Sequence, residues 1–344
     1  MGFNLLILRA AGESGRSHID AWPAKLREAI PDIEINVANS TGEAMEMIEE
    51  ADAAFGDIVP EVFERATKLR WIACPQAGPR AGYYHQALID SEVEVTNTRD
   101  IYNDHISNHI MSFVLAFARG LHVYVQQQMR REWDSSYEII NLPDSTVVII
   151  GVGGIGGETA RLCAEFGMNV LAVDPRVTEK PPGVAELYTP DSLGEILPEA
   201  DFVIVTVPET PATQGMFDAE FFRRMSRGGH FINIGRGATT ILNDLVTALE
   251  ADDIRGAALD VFQVEPLPPD HALWSLSNVI ITPHCAGAGP YLDDRRTDLF
   301  IENCVRFNDG AALKNVVAKD NWFKAENRSD LLEYGAQGLE NSSS

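Results

Sequence analysis

Three polar residues with complementary chemistry each follow an apolar, strand-like run in the second half of the sequence. They are Arg236 in FINIGRGA, Glu265 in LDVFQVEPLP and His284 in VIITPHCAG. An arginine can bind an anionic substrate, a histidine can exchange a proton near neutral pH, and a carboxylate can hold that histidine. Glu265 beside His284 would favour the imidazolium and raise the pKa of the histidine. Each residue alone is more often structural, so the prediction of a catalytic group depends on the three lying together.

A glycine-rich turn precedes these residues and predicts a dinucleotide-binding site. In VVIIGVGGIGGETARLCAEFGMNVLAVDPR, Gly151, Gly153 and Gly156 form a G-x-G-x-x-G pattern between a strand and a helix. Such glycines allow a tight turn, close backbone approach to a pyrophosphate and packing of the helix on the strand. Asp174 ends the next strand and can bind ribose hydroxyls, which favours NAD. Arg176 could instead receive the 2′-phosphate of NADP, so both cofactors stay open.

The order of apolar runs predicts α/β architecture throughout the chain. In the first hundred residues, helical stretches alternate with the strand candidates LLIL, IEINVA, AAFG, LRWIAC and VEVTNT. The same alternation restarts at Val147 with six further strand candidates, enough for one open, doubly wound sheet. Two doubly wound domains with parallel sheets are therefore expected.

The late position of the glycine-rich turn predicts that the first domain is discontinuous. We expect a substrate domain at 1–103 plus 287–320, an inserted Rossmann nucleotide-binding domain at 104–286, and a C-terminal tail at 321–344. A long helical pattern joins the domains, and its centre, Ile106 to Ala118, is apolar on nearly every face. Such a helix must be buried all round, which predicts contact with a second subunit. The active site is expected in a cleft between the domains, outside the carboxyl ends of the strands.

Composition restricts the classes of partner. The net charge of −24 over 344 residues argues against binding to nucleic acid or to an anionic membrane. Only six lysines occur among 27 basic residues, against 51 acidic ones, as in proteins of salt-loving organisms; an ordinary acidic protein fits equally well. No apolar run suits a membrane span or a signal peptide, so a cytoplasmic location is expected.

One histidine pair has the spacing of a metal-binding helix. His105 and His109 stand four residues apart in HISNH. The glutamate of H-E-x-x-H is missing, and no third ligand is evident in the sequence. We therefore predict no metal and assign the pair to packing near the domain hinge.

The order and spacing of these segments resemble the D-isomer specific 2-hydroxyacid dehydrogenase family, which includes glyoxylate and hydroxypyruvate reductases. The segments are GVGGIGGETA, VDPR, TVPETPATQGMF, NIGRGA, ALDVFQVEPLP and ITPHCAG, and the resemblance covers nearly the whole chain. It implies a Rossmann NAD(P)-binding domain inserted into a flavodoxin-like substrate domain, usually in a homodimer. It also implies reversible hydride transfer between NAD(P)H and a small 2-oxo acid.

The resemblance assigns roles to individual residues. Arg236 matches the arginine that binds the substrate carboxylate, Glu265 the glutamate that orients the histidine, and His284 the acid/base. The substrate loop departs from the family pattern at PQAGPRAGYY, where Pro79 lacks an N–H group. Carboxylate contacts would then come from Ala77 and Gly78, with Arg236 and His284 completing the substrate-binding set. The predicted cofactor-binding residues are Gly151, Gly153, Gly154, Ile155, Gly156, Asp174, Arg176, Pro208, Thr213, Ile234, Asp260, His284 and Gly287.

Several activities stay open. Glyoxylate, hydroxypyruvate and branched 2-oxo acids fit equally well as substrates, and a short form of phosphoglycerate dehydrogenase fits too. Formate dehydrogenase is disfavoured because that relative carries glutamine where Glu265 stands. From a different class, a non-catalytic NAD(H)-sensing module could share this fold, since fold does not determine function.

Overall fold

The computed structural model of the protein describes residues 2–9, 17–78 and 82–319. The chain divides into a first unit, Met1–Ile101 with Pro290–Ser344, and a second unit, Tyr102–Gly289. These boundaries differ from the predicted ones by two and three residues. The predicted tail at 321–344 lies outside the described residues.

The described residues form two parallel sheets. The first unit contains β1 (Asn4–Leu8), β2 (Glu34–Ala38), β3 (Ala53–Phe55), β4 (Trp71–Ala73) and β5 (Glu94–Thr96), in the order β2-β1-β3-β4-β5. The second contains β6 (Thr146–Ile150), β7 (Asn169–Val173), β8 (Glu186–Tyr188), β9 (Phe202–Val205), β10 (His230–Asn233), β11 (Gly256–Leu259) and β12 (Val279–Ile281). Its order is β12-β11-β10-β9-β6-β7-β8. The first order is that of flavodoxin-like sheets and the second that of Rossmann sheets, so the predicted fold class is confirmed.

Helices connect the strands of both sheets. They are α1 (Ser17–Ala29), α2 (Thr41–Met47), α3 (Pro60–Phe63), α4 (Gln86–Ile89), α5 (Asn103–Ala118), α6 (Leu121–Arg130), α7 (Gly154–Glu165), α8 (Leu193–Ile196), α9 (Ala219–Arg224), α10 (Leu242–Glu250) and α11 (Leu292–Asn308). Short 3₁₀ turns lie at Ile48–Glu50, Leu142–Asp144, Pro190–Ser192, Leu197–Glu199, Gly237–Thr239 and Ala272–Ser275. In the described part of the chain, no helix is both long and apolar enough to cross a bilayer.

Each sheet is covered on both faces by apolar side chains. In the first unit, Trp22 of α1 and Phe300 of α11 pack together at 4.5 Å between ring centroids, while Ala44 of α2 lies in the cluster on the other face. In the second unit, Phe222 of α9 and Phe113 of α5 belong to the two opposite clusters. Burial on both faces is the condition under which parallel sheets are stable, and it leaves the strand ends to carry chemistry.

The long helical pattern of the sequence divides into α5 and α6 at Gly120. This glycine has φ of 69°, and a Cβ there would lie 2.6 Å from a ring atom of Tyr137. The apolar centre of α5 is buried in the core of its own unit, so its burial does not depend on a second subunit. By contrast, α6 has no buried residue.

Candidate active site

The three predicted catalytic residues lie in the second unit, after neighbouring strands of its sheet. Strands β10, β11 and β12 are parallel, and their last residues, Asn233, Leu259 and Ile281, are aligned side by side. Because the carboxyl ends of parallel strands meet at one edge of a sheet, the loops that follow converge there. Those loops carry the predicted catalytic residues Arg236, Glu265 and His284.

His284 and Glu265 form a hydrogen-bonded pair. Nδ1 of His284 lies 2.7 Å from Oε2 of Glu265, and the backbone N–H of Phe262 donates to Oε1 of the same carboxylate at 2.9 Å. The hydrogen bond with Glu265 raises the pKa of His284 above its ordinary value. Partial burial acts to raise the pKa of Glu265, but its hydrogen bonds with His284 and Phe262 outweigh burial and lower it. The pair therefore favours the protonated histidine, with Nε2 as the ring nitrogen that Glu265 does not occupy.

Arg236 is held by the turn that follows β10. Its Nη1 donates to the carbonyl of Gly235 at 2.6 Å, and the buried Asn233 accepts from the backbone N–H of Gly235 at 2.9 Å. Burial lowers the pKa of Arg236, while the carboxylates of Glu209 and Glu265 act in the opposite direction. A guanidinium stays charged under such shifts, so the site presents a cation that can bind an anionic substrate.

Gly237 allows the Arg236 turn to lie against the segment that leads to Glu265. A Cβ at this position would stand 1.9 Å from the carbonyl carbon of Phe262 and 2.4 Å from the backbone nitrogen of Gln263. Backbone cannot yield to such an overlap. The glycine is therefore required where the two loops meet.

Asp260, directly after β11, binds the turn that carries His284. Its backbone carbonyl accepts from the N–H of His284, its Oδ1 from the N–H of Cys285 and its Oδ2 from the N–H of Ala286, each at 2.9 Å. The hydroxyl of Thr282 also donates to Oδ1 at 2.5 Å. The Asp260 carboxylate is 1% exposed, and these donors satisfy it.

His109 of α5 joins this group, although the sequence assigned it to packing. Its Nε2 lies 3.1 Å from the hydroxyl of Thr282 and 3.8 Å from Oδ1 of Asp260. The ring also packs edge-on against Phe113 at 4.7 Å between centroids. Both contacts lie within the second unit, so His109 has a polar role beside its packing role.

A metal ion would compete with hydrogen bonds that already exist in this group. Among the described residues, His109, Asp260 and Cys285 offer three ligand atoms within 4.8 Å of one another. The carboxylate of Asp260 already accepts from a hydroxyl and two N–H groups, which use three of its about four acceptor positions. Burial and the charge of Asp260 raise the pKa of the Cys285 thiol, which disfavours the thiolate that binds metals. The geometry is that of a hydrogen-bond network.

The glycine-rich turn has the geometry that a dinucleotide requires. Gly151 has φ of 90°, and a Cβ on Gly156 would lie 1.9 Å from the carbonyl oxygen of Gly151. A Cβ on Gly153 would meet nothing within 4 Å. Helix α7 begins at Gly154 with no side-chain hydrogen bond at its N-cap, so its first N–H groups can bind an anion. These residues fit the pyrophosphate of a dinucleotide, and the space beside Gly153 is free to receive it.

Asp174 and Arg176 lie after the next strand, β7. The buried carboxylate of Asp174 accepts from the backbone N–H groups of Val152 at 3.1 Å and Arg176 at 2.9 Å. A carboxylate oxygen can accept more than one hydrogen bond, so ribose hydroxyls can still bind. The Arg176 side chain is 67% exposed, with Nε 3.7 Å from Asp174. This pair suits both NAD and NADP.

The remaining predicted cofactor residues lie in the same unit, in loops or at the start of α7. Thr213 donates to the carbonyl of Pro208 at 2.7 Å, which closes the loop after β9. Ile234 is buried directly after β10, and Ile155 lies in the first turn of α7. A Cβ on Gly287 would be 3.5 Å from the nearest atom, an ordinary contact, so the structure gives no steric reason for glycine at this position.

The predicted substrate loop belongs to the first unit. Ala77 and Gly78 follow β4, and the side-chain amide of Asn97 donates to the carbonyl of Ala77 at 2.8 Å. Pro79 lies outside the described residues. The substrate contacts of Ala77 and Gly78 stay predictions from the sequence.

Sequence reasoning missed Thr282 and Glu209. Thr282 precedes His284 by two residues, but no local pattern links it to Asp260 or to α5. Glu209 lies in TVPETPATQGMF, where burial raises its pKa and Arg236 opposes that shift. Glu209 could have been found from the sequence, because it is a carboxylate between Pro208 and Thr213, two residues of the predicted cofactor loop.

Comparison with known proteins identifies the family of the chain. A family model described as D-isomer specific 2-hydroxyacid dehydrogenase, NAD binding domain, matches residues 111–286. The glyoxylate reductase of Thermococcus kodakarensis is 30% identical over 337 residues, covering 92% of this chain and 96% of that protein. The glyoxylate reductase of Korarchaeum cryptofilum is 33% identical over 269 residues, covering 76% and 79%.

A solved structure extends the likeness to the whole fold. The NADPH-dependent glyoxylate/hydroxypyruvate reductase of Sinorhizobium meliloti, solved with NADP and sulfate, has a TM-score of 0.78 and 27% identity. The match covers 93% of this chain and all of that one. The chain belongs to the D-isomer specific 2-hydroxyacid dehydrogenase family and is an NAD(P)-dependent oxidoreductase.

Proposed function

We propose that the protein reduces a small 2-oxo acid to the D-2-hydroxy acid, with His284 as acid/base and Arg236 as the carboxylate-binding group. The observation that carries the proposal is the 2.7 Å hydrogen bond between His284 and Glu265, with Arg236 on a neighbouring strand end. Glyoxylate and hydroxypyruvate are the favoured substrates because similar proteins bear those names.

The residues divide the reaction between them. Reduced nicotinamide, when bound, supplies the hydride. Arg236 would hold the substrate carboxylate and carbonyl in line for attack, and His284 would donate the proton of Nε2 to the carbonyl oxygen. Glu265 orients the ring and favours its charged form before that transfer. In the reverse direction, neutral His284 would accept the proton of the substrate hydroxyl.

The glycine-rich turn and the loops around it would hold the cofactor. Gly151, Gly153 and Gly156 would receive the pyrophosphate, Asp174 the ribose hydroxyls and Asp260 the nicotinamide end. Arg176 would bind a 2′-phosphate, and the NADPH dependence of the Sinorhizobium protein supports that use. The predicted set also includes Gly154, Ile155, Pro208, Thr213, Ile234, His284 and Gly287.

Turnover by the purified protein tests the proposal directly. NADH and NADPH oxidation would be followed with glyoxylate, hydroxypyruvate, pyruvate and branched 2-oxo acids, at low and high salt. Turnover on any of these acids supports the proposal and identifies both the cofactor and the substrate class. Cofactor binding with no turnover on every acid would favour the alternative, an NAD(H)-sensing module of the same fold.

Replacement of His284 gives the sharper prediction. General acid catalysis contributes about 10²- to 10⁴-fold to a rate, so His284→Ala should lose most of its turnover. NADH binding, followed by nicotinamide fluorescence, should stay close to that of the native protein, because the pyrophosphate and ribose sites are intact. Near-native turnover of His284→Ala would contradict the assignment.

The proposal also includes a homodimer in the cytoplasm. Support for the dimer comes from α6, which has no buried residue and exposes Leu121, Val125 and Met129 by 51%, 58% and 81%. Fractionation of native cells would test the location, and the mass of the particle in solution would test the dimer.

A further inference from the structure

The turn that carries His284 has a backbone conformation that needs external support. His284 has φ of 49°, in the left-handed region, which is unfavourable for a non-glycine residue. Asp260 provides support by accepting from the N–H groups of three consecutive residues, His284, Cys285 and Ala286. The position of the histidine therefore depends on how firmly the Asp260 carboxylate itself is held.

A chain of hydrogen bonds connects that carboxylate to α5. The Thr282 hydroxyl has one proton, and its 2.5 Å contact with Oδ1 of Asp260 uses that proton, because a carboxylate only accepts. Towards His109, 3.1 Å away, the same oxygen must then accept. It follows that Nε2 of His109 carries a proton and donates it to Thr282.

We infer that His109 is a positioning residue, which acts through Thr282 and Asp260 to hold the His284 turn in its reactive conformation. The inference rests on the proposed role of His284. Helix α5, anchored in the core by Ile110 and Val114, provides a fixed point for this chain of bonds. Without the donor at His109, the Thr282 hydroxyl can rotate away from Asp260, and the turn loses part of its support.

Two pairs of variants test this chain of bonds by turnover. Thr282→Val removes the hydroxyl at nearly constant shape, and Thr282→Ser restores it. His109→Leu removes the donor, and His109→Gln places an amide N–H near the position of Nε2. Small displacements of a catalytic group can cost about a hundredfold in rate. We expect kcat to fall by about tenfold or more in Thr282→Val and His109→Leu, while KM changes much less. In Thr282→Ser and His109→Gln, kcat should stay near the native value.

The double variant His109→Leu/Thr282→Val separates a chain of bonds from two independent structural effects. Residues of one network are not additive, so the double variant should lose no more than Thr282→Val alone. Thermal unfolding of every variant serves as the control for folding. If the kcat losses of the two single variants multiply in the double variant, the inference is wrong. A folded Thr282→Val protein with kcat within about twofold of native would also overturn it.

Ring ¹⁵N NMR of His109 gives a readout that does not depend on turnover. The native protein and Thr282→Ser should show the Nε2–H tautomer, and Thr282→Val should show a mixture. An Nδ1–H tautomer in the native protein would overturn this inference and leave the proposed function untouched. Failure of the native protein to turn over any 2-oxo acid would overturn the proposed function and, with it, the catalytic meaning of the network.

Discussion

Under the proposed mechanism, the hydrogen bond between His284 and Glu265 sets the pH range in which the protein acts as a reductase. That mechanism needs the protonated histidine, and the bond with Glu265 raises the pKa of His284. The reduction rate should therefore fall as the pH rises through the pKa of His284, which lies above the ordinary histidine value. Oxidation of the hydroxy acid needs the neutral ring and should show the opposite trend.

Glu265→Gln should move this profile. The glutamine keeps a carbonyl that accepts from Nδ1 but removes the charge that favours the imidazolium, so the pKa of His284 falls. We expect the alkaline decline of kcat/KM for reduction to move to lower pH by about one unit or more. Steady-state rates from pH 5 to 9 would measure this change, and profiles that coincide would contradict the assigned role of Glu265.

Single residues differ in how readily the sequence reveals them. The common position of Arg236, Glu265 and His284 at one edge of the sheet is predictable, because each follows an apolar strand in the sequence. Thr282 and His109 are not predictable in the same way, because their contact joins residues 173 positions apart. Such a contact exists only after α5 and β12 have been packed in one unit.

At the scale of single elements, strand β10 carries a histidine whose protonation opposes folding. His230 lies in the core between Phe117 and Phe202, with ring centroids at 4.5 and 5.3 Å. Burial lowers its pKa to about 3, far below the ordinary value near 6.5. Between these two values the unfolded chain binds a proton that the folded chain does not. The stability that the neutral ring provides is therefore full above about pH 6.5 and is lost as the pH falls towards 3.

His230→Phe should make the fold less sensitive to acid. Phenylalanine keeps the aromatic stack and cannot be protonated. Between pH 7 and pH 5 the native protein should lose about 2 kcal/mol of unfolding free energy more than this variant does. Urea unfolding at both pH values measures the difference. Phe202→Leu, which disturbs the stack but keeps the histidine, should be destabilised equally at both, and an unchanged pH dependence in His230→Phe would refute the argument.

Strong apolar patterns made most of the elements predictable. All five strand candidates of the first unit and all six of the second lie on strands. The seventh strand of the second sheet, β8, was not predicted. It has only three residues, lies at the edge of the sheet and contains no buried residue. The break between α5 and α6 was also not predicted, because apolar spacing continues across Gly120, whose φ of 69° separates the two helices.

At the scale of the whole molecule, the exposed face of α6 provides a test of the dimer. Leu121, Val125 and Met129 are spaced by four residues and so share one face of the helix. None of the ten residues of α6 is buried, and a second copy of the chain would cover this exposed face. The native protein should therefore have twice the 37.8 kDa mass of one chain.

Val125→Glu with Met129→Glu should shift the protein towards monomers, because like charges would meet across the paired helices. Sedimentation velocity over a range of concentrations would follow the shift. Phe166→Glu is a matched control, since Phe166 is an exposed apolar residue on another helix end, 44% accessible. A monomeric native protein, or dissociation by the control to the same extent, would argue against α6 as the interface.

Net charge provides a second test at the same scale. With −24 charges and a pI near 4.6, the folded chain repels itself at neutral pH. Salt shortens the screening length from about 10 Å at 0.1 M to about 3 Å at 1 M, so the melting temperature at pH 7 should rise with KCl. Each kcal/mol of screened repulsion should add about 1–2 °C for a chain of 344 residues. Near pH 4.6 the net charge vanishes, and the salt response should shrink with it. An equal response at both pH values would show that general salt effects on burial are responsible and that repulsion is not.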